Sequence, residues 1–109
     1  MSLTDTNKSN FIATIKDKLS QFNEVNKVIL FGSFVNSNNP NDIDIAIVQN
    51  SNDNFLTLSL KYRKVLRDLS KTIPLDIVPI KANTDGVFMN EINKGQVVYD
   101  NINSRIIVV

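Results

Sequence analysis

Apolar residues recur along the chain at helical spacing in some stretches and at strand spacing in others. Helical spacing predicts helices over residues 7–22, 55–73 and 84–95, and apolar or alternating runs predict strands over 27–33, 42–48, 75–80, 96–100 and 104–109. Pro74 ends the second helix. This alternation predicts an α/β (α+β) fold, a small mixed sheet flanked by helices, and the length predicts a single domain over residues 1–109.

Two aspartates open the most apolar of the predicted strands, in the stretch "DIDIAIV". Residues two apart in a strand point the same way and lie ~6.6 Å apart along it, so Asp42 and Asp44 share a face. Apolar residues continue that face and also form the other one, where the isoleucines are Ile43, Ile45 and Ile47. We therefore expect a central strand with both carboxylates at its N-terminal end, at the boundary between the core and the solvent.

Paired carboxylates at such a position could bind a metal ion. Two like charges repel and raise each other's pKa unless a cation is present. Paired carboxylates are common ligands of Mg²⁺, which shares its remaining coordination with water and phosphate oxygens. Gly32-Ser33 ends the preceding strand, where glycine lets the backbone approach a ligand, and Asp76 in "PLDIV" is a candidate third carboxylate. The alternative for each aspartate is a solvated strand-edge side chain without chemistry.

Composition narrows the possible chemistry and the possible partners. The chain has no histidine and no cysteine, which excludes the usual zinc sites, Ser-His-Asp triads and thiol nucleophiles. The net charge of +1 predicts no strong direct nucleic-acid binding. No apolar run is long enough to span a membrane, and the first residues lack the apolar segment of a secretory signal. We therefore expect a cytoplasmic protein that works with oxygen ligands and hard cations.

The order of these features resembles the nucleotidyltransferase superfamily that includes DNA polymerase beta. A hydrophobic strand ends in Gly32-Ser33, "DID" opens the next strand after a short loop, a helix follows, and a further strand carries Asp76. The chain looks most like the minimal nucleotidyltransferases, which contain little beyond this catalytic core, and the resemblance extends over residues 8–100. It implies the polymerase beta-like fold.

The resemblance also implies a role for each candidate residue. Asp42 and Asp44 would hold one or two Mg²⁺ ions that bind the triphosphate of ATP or another nucleotide. Asp76 would complete the metal site on the acceptor side, and Gly32 and Ser33 would bind the β and γ phosphates. The implied reaction is transfer of a nucleoside monophosphate, AMP from ATP, to a hydroxyl acceptor.

The loop after Gly32-Ser33 departs from the family pattern. Members commonly carry arginine and glycine there, whereas this chain reads "FVNSNN", with Phe34, Asn36 and Ser37 at those places. The departure leaves open a second function, a catalytically weak nucleotide-binding module that neutralises a partner protein by forming a complex. A third interpretation is an unrelated small α/β domain, which Mg-dependent ATP binding would exclude.

A surface for a partner protein is predicted on the helix over residues 55–73. The core-facing stripe of that helix consists of Phe55, Leu58, Tyr62, Val65, Leu66, Leu69 and Ile73. At 100° per residue, the opposite side carries Leu56, Leu60, Arg63 and Arg67. Exposed leucines and a basic helix face are also ordinary solvated surface, and this side could instead pack under the C-terminal tail. Minimal nucleotidyltransferases are commonly paired with helical HEPN-class proteins as antitoxin and toxin, so the resemblance implies that such a partner binds this side.

Overall fold

The computed structural model describes residues 4–37, 39–81 and 94–101. In chain order the elements are α1 (Asp5–Leu19), β1 (Val25–Phe31), α2 (Ser33–Asn36), β2 (Ile43–Gln49), α3 (Phe55–Val65), α4 (Arg67–Ser70), β3 (Leu75–Ile80) and β4 (Gln96–Asp100). The strands form one sheet in the order β3-β2-β1-β4. β1 is antiparallel to both of its neighbours, whereas β2 and β3 are parallel. The mixed sheet flanked by helices confirms the predicted fold class.

The central position of β2 follows from its sequence. Ile43, Ile45 and Ile47 are fully buried on the face that also contacts α1 and α3. Ala46 and Val48 are buried on the opposite face in a smaller cluster with Ile29 and Ile80. A strand with apolar side chains on both faces favours the middle of a sheet, where neighbouring strands pair both of its edges and the side chains packed above and below remove its faces from water.

The first helix begins and ends earlier than its periodicity predicts. Thr4 caps it: its Oγ1 accepts from the Asn7 backbone N–H at 3.1 Å, and the Asn7 side chain accepts from the Thr4 N–H in return. The helix ends at Leu19, three residues before the predicted end at Phe22. The Phe22 ring instead packs edge-on against Tyr62, with 5.3 Å between ring centroids.

The predicted single helix over residues 55–73 is wrong in two respects. It is interrupted at Leu66, whose φ of −102° and ψ of 15° lie outside helical values, so that α3 and α4 are separate. Leu66 and Leu69 both remain buried across the interruption. Phe55 does not face the core: it is 60% exposed, because it lies in the first turn and burial on α3 begins only at Leu58.

The predicted strand over residues 96–100 is confirmed as β4. The predicted strand over 104–109 lies outside the described residues, and so does the predicted helix over 84–95 apart from its last two residues, which form a turn and a bend. None of the helices in the described ranges is long and apolar enough to cross a membrane.

Candidate functional site

The parallel pairing of β2 with β3 brings two of the predicted aspartates together. Asp44 and Asp76 are direct register partners, each the second residue of its strand. Asp42 immediately precedes β2 and therefore lies at the same end of the sheet. The three aspartates thus meet at one end of two adjacent strands, although residues 42 and 76 are far apart in the sequence.

The three carboxylates differ in their exposure to solvent. Asp42 and Asp44 are half-buried, and Asp76 is exposed. Burial raises the pKa of the Asp44 carboxyl above its ordinary value, and the negative charges of Asp42 and Asp76 and a hydrogen bond to Asp76 raise it further. The ionised form of Asp44 is therefore energetically unfavourable in the folded protein, and a nearby cation would stabilise it.

The backbone at Gly32 comes close to the Asp44 side chain. Gly32 has a φ of 76° and a ψ of −151°, a conformation that is essentially restricted to glycine. A Cβ atom at this position would overlap the Asp44 Oδ2 atom. Register places Asp44 opposite Phe31, so the end of β1 presents Gly32 directly to this carboxylate. The glycine of the Gly-Ser pair is thus required on two independent steric grounds.

The segment after Gly32 folds into the single helical turn α2. The Gly32 carbonyl accepts from the N–H groups of Val35 and Asn36, and the Ser33 carbonyl accepts from Ser37 at 2.9 Å. Phe34 is buried in the main core, whereas Asn36 is exposed and Ser37 half-buried. Of the three residues that depart from the family pattern, Phe34 therefore serves as a core anchor.

One residue near this segment was not singled out from the sequence. Lys8, in the first turn of α1, places its Nζ atom 2.6 Å from the Ser37 carbonyl oxygen. The contact joins residues 29 positions apart, and a lysine in the first turn of an amphipathic helix carries no local signal of such a partner.

The donor set at the end of β2 and β3 suits a hard cation. It consists of carboxylate oxygens, the ligands that Mg²⁺ prefers, and their mutual repulsion favours a positive charge between them. In the parts of the chain that the structure describes, no group of three or more Asp, Glu, His or Cys side chains is arranged so that it could hold a metal ion. By the chemistry of their oxygens alone, the aspartates suit a hard cation that takes its remaining ligands from water and phosphate oxygens.

The outer side of α3 and α4 carries an apolar and basic surface. Leu56 and Leu60 are 66% and 58% exposed, as the helical periodicity predicted. A cleft of about 240 Å³ lies beside them, lined by Leu60, Arg63, Lys64, Arg67, Ser70 and Leu75. The Arg63 guanidinium donates to the Leu75 carbonyl at 3.3 Å, which ties the helix to the start of β3.

The comparison with protein families gives one match over most of the chain. The model of the polymerase beta nucleotidyltransferase family matches residues 13–103. A comparison with curated proteins gave no significant match by sequence.

Solved structures of toxin–antitoxin complexes are similar in fold. One is a rebuilt and re-refined structure of the tri-AMPylated Shewanella oneidensis HEPN toxin with the MNT antitoxin, at a TM-score of 0.59 and 18% identity over 92% of this chain and 75% of that chain. A toxin–antitoxin complex with AMP-PNP has a TM-score of 0.60 and 17% identity, and the match covers 90% of this chain and 77% of that chain. The MntA–HepT complex has a TM-score of 0.58 and 17% identity, and the match covers 93% of this chain and 76% of that chain. At these identities the likeness concerns the fold.

Proposed function

Because the chain belongs to the polymerase beta nucleotidyltransferase family, we propose that it transfers AMP from ATP to a hydroxyl group of a partner protein, as the antitoxin of a HEPN/MNT-type pair. The observation that carries the proposal is the direct pairing of Asp44 with Asp76 beside Gly32. The fold shared with MNT antitoxins, one of them solved with a tri-AMPylated HEPN toxin, supports the choice of partner.

The aspartates divide into a nucleotide side and an acceptor side. Asp42 and Asp44 are the half-buried pair, and we assign them to hold Mg²⁺ together with the triphosphate. Bound Mg²⁺, one or two ions, would neutralise the phosphate charge and stabilise the leaving pyrophosphate. Asp76 is exposed, which suits a group that must meet a hydroxyl on another macromolecule. Gly32 and Ser33 bind the β and γ phosphates in this assignment.

The reaction is an in-line substitution at the α-phosphorus. The acceptor oxygen forms a bond to that phosphorus, the bond to pyrophosphate breaks, and Asp76 accepts the proton of the acceptor hydroxyl or orients it. Most of the acceleration in such a reaction comes from positioning and charge neutralisation. None of these steps needs histidine or cysteine, in keeping with the composition of the chain.

A second candidate function is a nucleotide-binding module that neutralises its partner by binding alone. The loop from Gly32 to Ser37 favours it, since the sequence "GSFVNS" offers no charged side chain to a triphosphate. Both functions require nucleotide binding, and only the first requires release of pyrophosphate. Incubation with Mg²⁺, a purified HEPN-class protein and ATP labelled at the α-phosphate separates the two functions by whether that protein becomes labelled.

Replacing Asp76 with Asn is expected to slow transfer by about a hundredfold, the effect of losing one general base, while Mg-ATP binding changes by less than about threefold. The reason is that Asp76 acts on the acceptor rather than on the triphosphate. Calorimetry measures binding, and label transfer to the partner measures turnover. Asp17→Asn, at an exposed aspartate of α1, is the matched control and should change neither quantity. Equal losses of binding and transfer would contradict the acceptor-side role.

The partner is proposed to bind the outer side of α3 and α4 through Leu56, Leu60, Arg63 and Arg67. Exposed leucines beside arginines have the composition of a contact surface, because arginine is enriched in interfaces and leucine supplies apolar area. The three cationic residues lining the cleft favour a partner surface that carries acidic side chains.

The double substitution Leu56→Glu and Leu60→Glu is expected to weaken association with that partner by at least about a hundredfold, because it removes apolar contact and opposes acidic residues with like charge. Folding should survive, since both side chains are exposed, and circular dichroism checks this. Ala13→Glu with Thr14→Glu adds the same charge at exposed positions of α1 and should leave the affinity unchanged. Unaltered binding of the first variant would show that the partner binds elsewhere.

A further inference from the structure

Two residues of α1 hold the turn that follows Gly32. Lys8 and Phe11 lie three positions apart, so they share a face of the helix. The Lys8 ammonium lies 5.5 Å from the centroid of the Phe34 ring, and the Phe11 and Phe34 rings have centroids 6.2 Å apart. The Lys8 Nζ atom also donates to the Ser37 carbonyl at 2.6 Å. One lysine therefore contacts both the core anchor of α2 and the residue that caps its C-terminal end.

The turn needs such support from outside. α2 has four residues, and helices this short are not stable by themselves, because fixing the first turn costs more conformational entropy than its few hydrogen bonds return. Its start is Gly32, whose backbone passes close to Asp44 at angles that are essentially restricted to glycine. A loosened C-terminal end would release the Ser37 N–H from the Ser33 carbonyl, and the backbone of Gly32 and Ser33 would lose its orientation.

We infer that Lys8 is a positioning residue for the nucleotide: by holding Ser37 and Phe34 it keeps Gly32 and Ser33 in the geometry that receives the phosphates. The inference rests on the proposed function, since it assigns Lys8 to the phosphate side of that same site. A charged donor on the Ser37 carbonyl is stronger than a neutral one, and the ring contact adds a second, smaller attraction. In this way a residue of α1 stabilises a loop that has no charged side chain of its own.

The test compares Lys8→Met, Lys8→Arg and Lys18→Met. Methionine keeps the apolar length of the side chain and loses the charge and the N–H donors, whereas arginine keeps both. Lys18 is exposed in the last turn of the same helix and serves as the matched control. Two quantities are measured for each protein: the dissociation constant for Mg-ATP, and the hydrogen-exchange rates of the amides of Val35, Asn36 and Ser37 without nucleotide.

Lys8→Met is expected to weaken Mg-ATP binding by about tenfold, in line with the loss of one charge-assisted hydrogen bond. It should also speed amide exchange in α2 while exchange in β1 stays unchanged. Lys8→Arg should restore most of the binding, and Lys18→Met should behave as wild type. Faster exchange in Lys8→Met with wild-type binding would overturn the inference and leave Lys8 a purely structural contact. Wild-type protein that binds no Mg-ATP would instead overturn the proposed function, and the inference with it.

Discussion

Replacing Asp44 with Asn is expected to abolish Mg-dependent ATP binding and, at the same time, to make the nucleotide-free protein more stable at neutral pH. The first effect follows from losing a carboxylate that we assign to the metal. The second follows from the surroundings of Asp44, which is half-buried and repelled by Asp42 and Asp76, so that its pKa is raised in the folded state. A gain in stability on removing a charged side chain is typical of a functional carboxylate held in place by the fold.

The sign of the pH dependence follows from the direction of that shift. A carboxyl whose pKa is higher in the folded state binds protons more tightly there, so it favours folding below its unfolded pKa and loses that contribution as the pH rises through the folded pKa. At neutral pH the ionised Asp44 therefore opposes folding. Its replacement should raise the free energy of unfolding by on the order of 0.5 kcal/mol, a small value because the site is partly solvated.

Urea unfolding at pH 7 and near pH 4 measures this difference. The gain of Asp44→Asn over wild type should shrink at the lower pH, where the wild-type carboxyl becomes protonated. Asp17→Asn, at an exposed position, should show neither the gain nor its pH dependence. The metal assignment is wrong if Asp44→Asn binds Mg-ATP as wild type does, and the account of crowded carboxylates is wrong if the variant is less stable than wild type at both pH values.

Replacing Gly32 with Ala is expected to lower the free energy of unfolding by about 2–3 kcal/mol and to abolish nucleotide binding. A side chain at the backbone angles of Gly32 is strained, which by itself costs of order 1–3 kcal/mol. The new Cβ atom also overlaps the Asp44 Oδ2 atom, so either the carboxylate or the end of β1 must move. Both the phosphate side and the metal side of the proposed site are then displaced together.

A double-mutant cycle separates the two causes. Asp44→Ala removes the atom that the new Cβ would overlap, so Gly32→Ala should cost less stability in that background than in wild type, and the remaining cost reports backbone strain alone. Ser33→Ala, next to Gly32, introduces no strain and should unfold like wild type. An unfolding free energy of Gly32→Ala within about 0.5 kcal/mol of wild type would contradict the steric account, because that is the range of ordinary surface substitutions.

Several features of the fold and site could be predicted from local patterns alone. Two helices, four strands and the central place of β2 follow from the spacing of apolar residues, because that spacing records which faces are removed from water. The placement of Asp42 and Asp44 at the mouth of β2 follows from the same alternation. The sequence also indicates that the backbone can approach a ligand at Gly32, but the close approach of Gly32 to Asp44 depends on the antiparallel register of β1 and β2.

Other features depended on how distant segments pack. The pairing of Asp44 with Asp76 comes from the parallel register of β2 and β3, which the intervening α3 and α4 determine by crossing over the sheet. The interruption at Leu66 and the exposure of Phe55 are not visible in the helical spacing, which continues through both positions. The contact of Lys8 with Ser37 joins two segments 29 residues apart. Local spacing indicates which face of a segment is buried. It does not indicate which other segment packs against that face, because that depends on the tertiary arrangement of the whole chain.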